Sequence, residues 1–342
     1  PFRAVSEIIF QPRAKKTWLH SLTTSALVAL AVSLFGAVGV VRAVNADLDT
    51  VKREEIATTA LSPADAEFEN YLFVGSDSRV GADPGDADYG SVGDAGDIGG
   101  QRSDTLMVLH YVKRTGTVSL MSIPRDLWVA IGNGENEQRI NTAYQEGTDV
   151  LVRTVQRALN IPIHHYVEID FQGFKRIVEA VGGVNVCVEY PSRDKHTGLF
   201  MKAGCSTLDG VEGLAYARSR FFEQKVDGEW QLDGSSDIGR STRQRGFVQA
   251  LAKSAVIGVS GNPFKAGDVL NGGLSAVVVD NNLDLIEFAK KLRPAAGGNI
   301  ASFPLDVYGD MVGSNSVLRL GKGADELIAF FNGTGPRPQL NP

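Results

Sequence analysis

The spacing of apolar positions changes several times along the chain, and each change marks an element. Tyr71 to Val74 is a short apolar run that stops at Gly75 and is followed by Asp77 and Arg79. Two longer runs, Leu106 to Val112 and Val118 to Ile123, flank the turn-prone "KRTG". Apolar, β-branched-rich runs joined by a short Gly-containing segment predict an antiparallel hairpin. Pairing outward from Arg114 and Thr115 brings Asp104 opposite Arg125 to within a residue, so both ends of the hairpin meet at one sheet edge. If the Tyr71 strand lies beside it, Asp77, Arg102, Asp104, Arg125 and Asp126 share one rim. Strand ends are also where charges simply meet water, and the pattern alone leaves both readings of the rim open.

Helical spacing takes over downstream. Val150, Leu151, Val155 and Leu159 predict a helix in "TDVLVRTVQRALN", followed by a strand in "HHYVEI". Asp170 is placed to cap a helix whose stripe is Phe171, Phe174, Ile177, Val178 and Val181, with Gly182 as its stop. A strand in "VNVCVEY", a short helix in "VEGLAYARSR" and a long helix in "IGRSTRQRGFVQALAKSAV", capped by Asp237, come next. Helices near Leu283 to Leu292 and Ala324 to Phe331 bracket the strand-like runs "NIASFPL" and "SVLRL". This mixture predicts an α/β sheet with helices packed on it and at least one antiparallel pair.

Charge and hydropathy then set the topology. From Thr17 to Val41 there is no Lys, Arg, Asp or Glu, a length that suits one bilayer-spanning helix. Arg3, Arg13, Lys15 and Lys16 precede it and "NADLDTVKREE" follows it, so the positive-inside rule puts the N-terminus in the cytoplasm. The expected organisation is a cytoplasmic segment over residues 1–16, a transmembrane helix over 17–44, a polar stalk over 45–69, a catalytic domain over 70–331 and a linker over 332–342. The apolar run is longer than a usual signal-peptide core, which favours an uncleaved anchor in the cell membrane over a cleaved leader. The 342 residues carry a net charge of −6, which argues against a nucleic-acid partner. Outside the membrane, Cys187 and Cys205 are expected to form a bridge rather than to remain two unrelated thiols.

The remaining arginines define the candidate chemistry. Arg218 and Arg220 stand in "ARSR", and Arg240, Arg243 and Gln244 in "DIGRSTRQR" share one helical face near a helix N-terminus that itself favours anions. Each segment alone reads as readily as a solvated charged surface. Together, guanidinium forks gathered at element ends in an acidic chain suggest a phosphate site. Two carboxylates facing a phosphate repel it unless a divalent cation intervenes, so Asp77 and Asp104 predict a hard ion, Mg²⁺ or Mn²⁺. Other chemistries lack their motifs: there is no HExxH spacing, no Walker lysine and no G-x-S-x-G elbow.

"LFVGSDSR", "RSDTLMVLHY", "SIPRDLWVAI", "RINTAYQEG", "VEIDFQGFKRIVEAVGGVNV", "LDGVEGLAYARSR" and "DIGRSTRQRGFVQAL", in this order from about Asn70 to Val256, resemble the catalytic domain of the LytR-CpsA-Psr family. The resemblance implies an α/β/α sandwich with a central mixed sheet, preceded by one transmembrane helix and exposed outside the membrane. It implies a Mg-dependent phosphotransferase that moves a glycopolymer from a polyprenyl-pyrophosphate carrier to a peptidoglycan hydroxyl. Carried over by motif, Asp77 and Asp104 are metal-side carboxylates, and Arg102, Arg125, Arg218, Arg220, Arg240, Arg243 and Gln244 are expected at the pyrophosphate, with Arg139 of "RIN" as a further basic residue. Arg125, Asp77 and Asp104 are the expected catalytic set. The cysteine pair resembles actinobacterial members, which implies arabinogalactan or a related wall polymer. The loop "VGADPGDADYGSVGDAGDIGG" is longer than many members show. A pyrophosphatase and a non-catalytic binder of lipid-linked polyanions are the rival readings.

Overall fold

The computed structural model describes residues 51–57, 59–78, 103–233, 236–261, 276–296 and 300–339. The expected transmembrane segment, Arg102 and the long loop before it lie outside the described residues, as does the side chain of Asp104. Among the described residues no helix is long and apolar enough to cross a membrane.

Seven strands build the central sheet: β1 (Lys52–Glu54), β2 (Phe68–Ser76), β3 (Ser103–Val112), β4 (Thr117–Ile123), β5 (His165–Ile169), β6 (Val277–Asp280) and β7 (Ala301–Pro304). Their order is β1-β6-β5-β2-β3-β4-β7. The sheet is mixed, with β2 antiparallel to β3 and parallel to β5. The expected hairpin is β3–β4, closed by the Lys113–Gly116 turn, where Gly116 adopts φ 66° and its N–H bonds the Val112 carbonyl at 2.9 Å. Its ladder runs out to Leu106 opposite Ile123, so Asp104 and Arg125 follow two residues beyond it on facing strands.

Among the described residues six α-helices pack with the sheet: α1 (Thr148–Leu159), α2 (Phe171–Ala180), α3 (Gly210–Arg218), α4 (Ser236–Gly261), α5 (Leu285–Ala296) and α6 (Ala324–Phe331). Period-2 alternation divides the strand residues between two faces. Leu72, Val74, Leu106, Val108, Met121 and Ile123 join the main core with Leu151, Val155 and Leu159 of α1 and with Leu327, Phe330 and Phe331 of α6. Phe73, Met107, Leu109 and Leu120 take the opposite face, beneath α2, α3 and α4. Phe288 of α5 packs at a tilt against Tyr71 and Phe73 there, with ring centroids 4.7 and 6.2 Å away.

Two segments depart from the pattern-based reading. Lys52–Glu54, expected in a stalk, is the edge strand β1, paired in parallel with β6, and Val51, Ile56 and Ala60 around it are buried. Three polar residues paired on one side only carry no periodicity to betray them. The stretch after Tyr190, which reads as a loop, contributes Ser192–Asp194 and Leu199–Met201 to a four-stranded antiparallel sheet with Glu223–Val226 and Glu229–Leu232. Beside it Val184–Val188 pairs with Gly204–Leu208, and the disulfide joins Cys187 to the directly opposite Cys205.

Candidate functional site

A cavity of about 470 Å³ opens between the sheet and α2, α3 and α4. Its floor is Phe73 and Gly75 of β2, Thr105, Met107 and Leu109 of β3, and Leu120 of β4. Its roof is Phe171 and Phe174 of α2, Leu214 and Ala217 of α3, and Phe247 and Val248 of α4. Close approaches shape it. A Cβ on Gly75 would stand 2.9 Å from Thr105 Cβ, and one on Gly213 would stand 2.8 Å from Phe247 Cζ, so both positions need glycine for space rather than for backbone freedom.

The helices that form the roof are anchored by their own termini. Asp170 caps α2, its Oδ1 accepting the Gly173 N–H at 2.6 Å. Asp209 and Glu212 form a reciprocal capping box at the start of α3. Helix α4 begins at Ser236, so Asp237 is a first-turn residue. Along α4, Arg240, Gln244, Phe247 and Val248 recur at i, i+4, i+7 and i+8, which puts all four on the cavity face.

Of the residues expected at the site, Asp77, Arg125, Arg218, Arg220, Arg240 and Gln244 line this one cavity. They come from four separate chain segments. Asp77 follows β2 just past a register shift between Gly75 and Ser76. Arg125 follows Pro124 at the end of β4 in a fixed turn: the Pro124 carbonyl accepts the Leu127 N–H at 3.1 Å, and the Arg125 carbonyl accepts the Asn141 N–H at 3.3 Å. Arg218 ends α3 with its guanidinium carbon 4.6 Å from the Phe171 ring centroid. Arg240 is only 4% exposed, so its charge is held in a partly desolvated setting where an anion gains more from it than in water.

The other expected residues are placed differently. Arg243 is 8% exposed and does not line the cavity; it donates to the Ser219 carbonyl at 2.5 Å and to Asp233 Oδ2 at 2.8 Å. Arg139 also stands off the cavity wall. Its Nε is 3.3 Å from Asp126 Oδ1, and Asp126 Oδ2 is 3.5 Å from Arg125 Nε, so Asp126 lies between the two arginines. Asp104 is described by its backbone alone, next to Ser103, which pairs with Ser76.

Several neighbours of the site carry no sequence signal of their own. Asp194, His196, Thr197 and Phe221 line the cavity from the accessory sheet and the loop after α3. Glu168 accepts the hydroxyls of Tyr144 and Tyr166 at 2.6 and 2.7 Å, and the Tyr144 hydroxyl is 3.2 Å from Ser76 Oγ. Burial, then the bond to Glu168, pushes the Tyr144 phenol up, so it stays protonated beside Asp77. Arg245, one residue beyond Gln244, donates to Ser122 Oγ at 2.7 Å and ties α4 to β4; burial pushes its guanidinium down. A pairing across 123 residues cannot be read from local pattern.

Comparison with known proteins agrees with the mixed α/β fold. The model for the LytR_cpsA_psr family matches residues 37–326, and the chain belongs to that family. The probable cell wall biosynthesis protein LcpB of Corynebacterium glutamicum is 34% identical over 276 residues, covering 80% of this chain and 63% of that protein. TagU of Oceanobacillus iheyensis, a polyisoprenyl-teichoic acid–peptidoglycan teichoic acid transferase, is 31% identical over 224 residues, 64% of this chain and 65% of that protein. The chain thus spans a little under two thirds of the length of these relatives. Among solved structures, the LytR-Csp2A-Psr enzyme from Actinomyces oris shares the fold at a TM-score of 0.62 and 22% identity, over 82% of this chain and 96% of that one. Bacillus subtilis TagV matches at a TM-score of 0.60 and 25% identity, over 80% and 100% of the two chains.

Proposed function

We propose that this chain is a membrane-anchored phosphotransferase that moves a glycopolymer from a polyprenyl-diphosphate carrier to a peptidoglycan hydroxyl outside the cell. The observation that carries this reading is the joining of an apolar chamber to a rim of Arg125, Arg218, Arg220 and Arg240 in one cavity. Such a cavity suits an amphipathic donor, with prenyl units against Phe73, Met107, Phe174 and Phe247 and a diphosphate among the guanidinium groups. The name of TagU, a transferase, supports this reaction class, and that of LcpB supports a role in cell wall biosynthesis. Arabinogalactan or a related actinobacterial polymer is the proposed cargo, and residues 17–44 the proposed anchor.

In the proposed reaction the acceptor hydroxyl gives up its proton, to solvent or to the departing phosphate, as its oxygen forms a bond to the phosphorus that carries the glycan. The bond from that phosphorus to the bridging oxygen breaks, and polyprenyl phosphate leaves. Negative charge grows on the bridging and equatorial oxygens, where fixed guanidinium groups stabilise it without reorganisation. Asp77, with Asp104 on the facing strand end, supplies hard carboxylate oxygens that suit Mg²⁺ or Mn²⁺, and the ion would neutralise diphosphate charge when bound. Arg125 is assigned to the transferring phosphoryl group because it leaves the same strand-end rim as Asp77.

The test uses the full chain in detergent with Mg²⁺, a prenyl-diphosphate-linked oligosaccharide and a peptidoglycan fragment. Transfer is expected only with acceptor present, and donor affinity should rise at least tenfold from a C10 to a C15 prenyl group, since each buried methylene contributes about 0.8 kcal/mol. Release of glycan phosphate to water at the same rate without acceptor would assign a pyrophosphatase. Binding with no bond cleavage would assign a lipid-linked polyanion binder.

A further inference from the structure

The segment that bears Arg218 and Arg220 has left helix α3 by Ser219, at φ −58° and ψ 125°. No helical ladder holds it from there to Phe222, yet it displays two like charges two residues apart into one cavity.

We infer that Asp194 and Arg243 form a buried clamp on this turn, acting as positioning residues that aim Arg218 and Arg220 at the donor. Asp194 is 0% exposed. Its Oδ2 accepts the Ser219 hydroxyl at 2.7 Å and the backbone N–H groups of Phe221 at 3.0 Å and Arg220 at 3.1 Å. Its Oδ1 accepts the His196 N–H at 2.8 Å. Burial by itself would push this carboxyl up, but the donors outweigh it and hold it below the usual carboxylate range. A carboxylate has roughly four acceptor positions, and with three donors on Oδ2 and one on Oδ1 Asp194 is committed mainly to this turn although it borders the cavity.

Arg243 grips the same turn by its carbonyl side. One guanidinium nitrogen donates to the Ser219 carbonyl, the other to Asp233, and the guanidinium carbon stands 4.5 Å from the Phe222 ring centroid. Gln244 adds a bond to the Ala217 carbonyl at 3.1 Å. The turn is therefore held at its amide hydrogens by a buried anion and at its carbonyls by a buried cation, both through charge-assisted bonds. Arg243, three residues after the cavity-lining Arg240, serves the site through backbone contacts instead of reaching the anion.

This inference rests on the diphosphate reading, and a double-mutant cycle tests it. Farnesyl diphosphate affinity is measured for the full chain in detergent, for Asp194→Asn, for the Arg218→Ala/Arg220→Ala variant and for the triple variant. Asn keeps one oxygen acceptor and replaces the other with a donor, so Asp194→Asn should weaken binding at least fivefold in the wild-type background. It should change binding less than twofold once both arginines are gone, where Arg125, Arg240 and the apolar chamber still hold the probe. An equal loss in both backgrounds would mean that Asp194 supports the fold at large, and would overturn the clamp while leaving the diphosphate reading in place. Failure of the wild type to bind farnesyl diphosphate would overturn that reading and the clamp together. Should Asp194→Asn not fold, Ser219→Ala removes one donor to the same carboxylate and is expected to give a smaller loss with the same dependence on the two arginines.

Discussion

The guanidinium of Arg218 lies against the ring of Phe171, 4.6 Å from carbon to centroid. The aromatic face steadies the cation at the cavity wall through a contact that does not itself use the planar N–H edges of the guanidinium. Phe171→Leu keeps the apolar volume but loses the ring face, so donor affinity should fall two- to fivefold, about 0.5–1 kcal/mol. Arg218→Ala should cost more than tenfold. Calorimetric titration with farnesyl diphosphate separates the two; equal effects would show that the ring only fills space.

Arg240 presents a planar fork from a nearly enclosed position on α4. Arg240→Lys retains the charge and loses the bidentate geometry, so transfer should drop at least tenfold with little change in melting temperature. A lysine variant with wild-type turnover would reduce the role of Arg240 to that of a point charge.

The Cys187–Cys205 bridge closes a loop with a sequence separation of 18. In the chain-entropy account a loop of that size contributes roughly 3 kcal/mol. Replacing both cysteines by serine should therefore lower the urea midpoint clearly, and reductant should shift the wild type toward the double variant. A midpoint indifferent to reductant would mean that the accessory strands are held by their ladder alone.

A histidine pair sets an acid limit at the opposite end of β2. Asn70 donates from its side-chain nitrogen to the Pro162 and Phe331 carbonyls at 2.8 Å, which leaves Oδ1 to accept His110 Nδ1–H at 2.7 Å. His164 Nδ1 accepts the Asn70 backbone N–H at 2.9 Å and so carries no proton there. Burial pushes both imidazoles down to about 4. Unfolded histidines take up protons near pH 6.5. Their contribution is thus whole above that value and is lost as pH falls toward 4, by up to about 1.4 kcal/mol per pH unit for each histidine. Denaturation midpoints should decline between pH 6.5 and 5; a flat profile there would place protonated imidazoles in the folded state. Below this range Glu69 adds a loss of the same sign. Against the rise that burial alone would cause, bonds from Lys291, Tyr71 and Lys113 bring its carboxyl down to about 2.

What the sequence made legible follows physical reach. The hairpin register that sets Asp104 beyond Ile123's partner, the stripe of α2 and the span Ala324–Phe331 were all readable, because a turn, a cap and a 3.6-residue period act within a few residues. So was the gathering of Asp77, Arg125, Arg218, Arg220, Arg240 and Gln244, through motif resemblance rather than spacing. The task of Arg243 was not readable: Arg240 and Arg243 share a helical face on paper, but a rotation of the helix against the Ser219 turn decides which one meets the cavity. Asp194 escaped notice for a related reason. It sits in a three-residue strand, and the turn it holds, Ser219 to Phe221, lies more than 20 residues away and leaves no mark on local pattern.

The sheet's borders depend on residues far apart in order of synthesis. Arg53 in β1 finds Val279, and Leu120 in β4 finds Ser302. On the ribosome, β2, β3 and β4 can zip locally soon after they emerge, while β4 waits for a neighbour encoded some 180 residues later. The nascent chain therefore carries an unpaired strand margin until β7 emerges, a surface prone to mispairing with other chains. The sheet can close only once β7 has emerged, and truncations upstream of β7 should yield aggregation-prone products rather than a smaller folded domain.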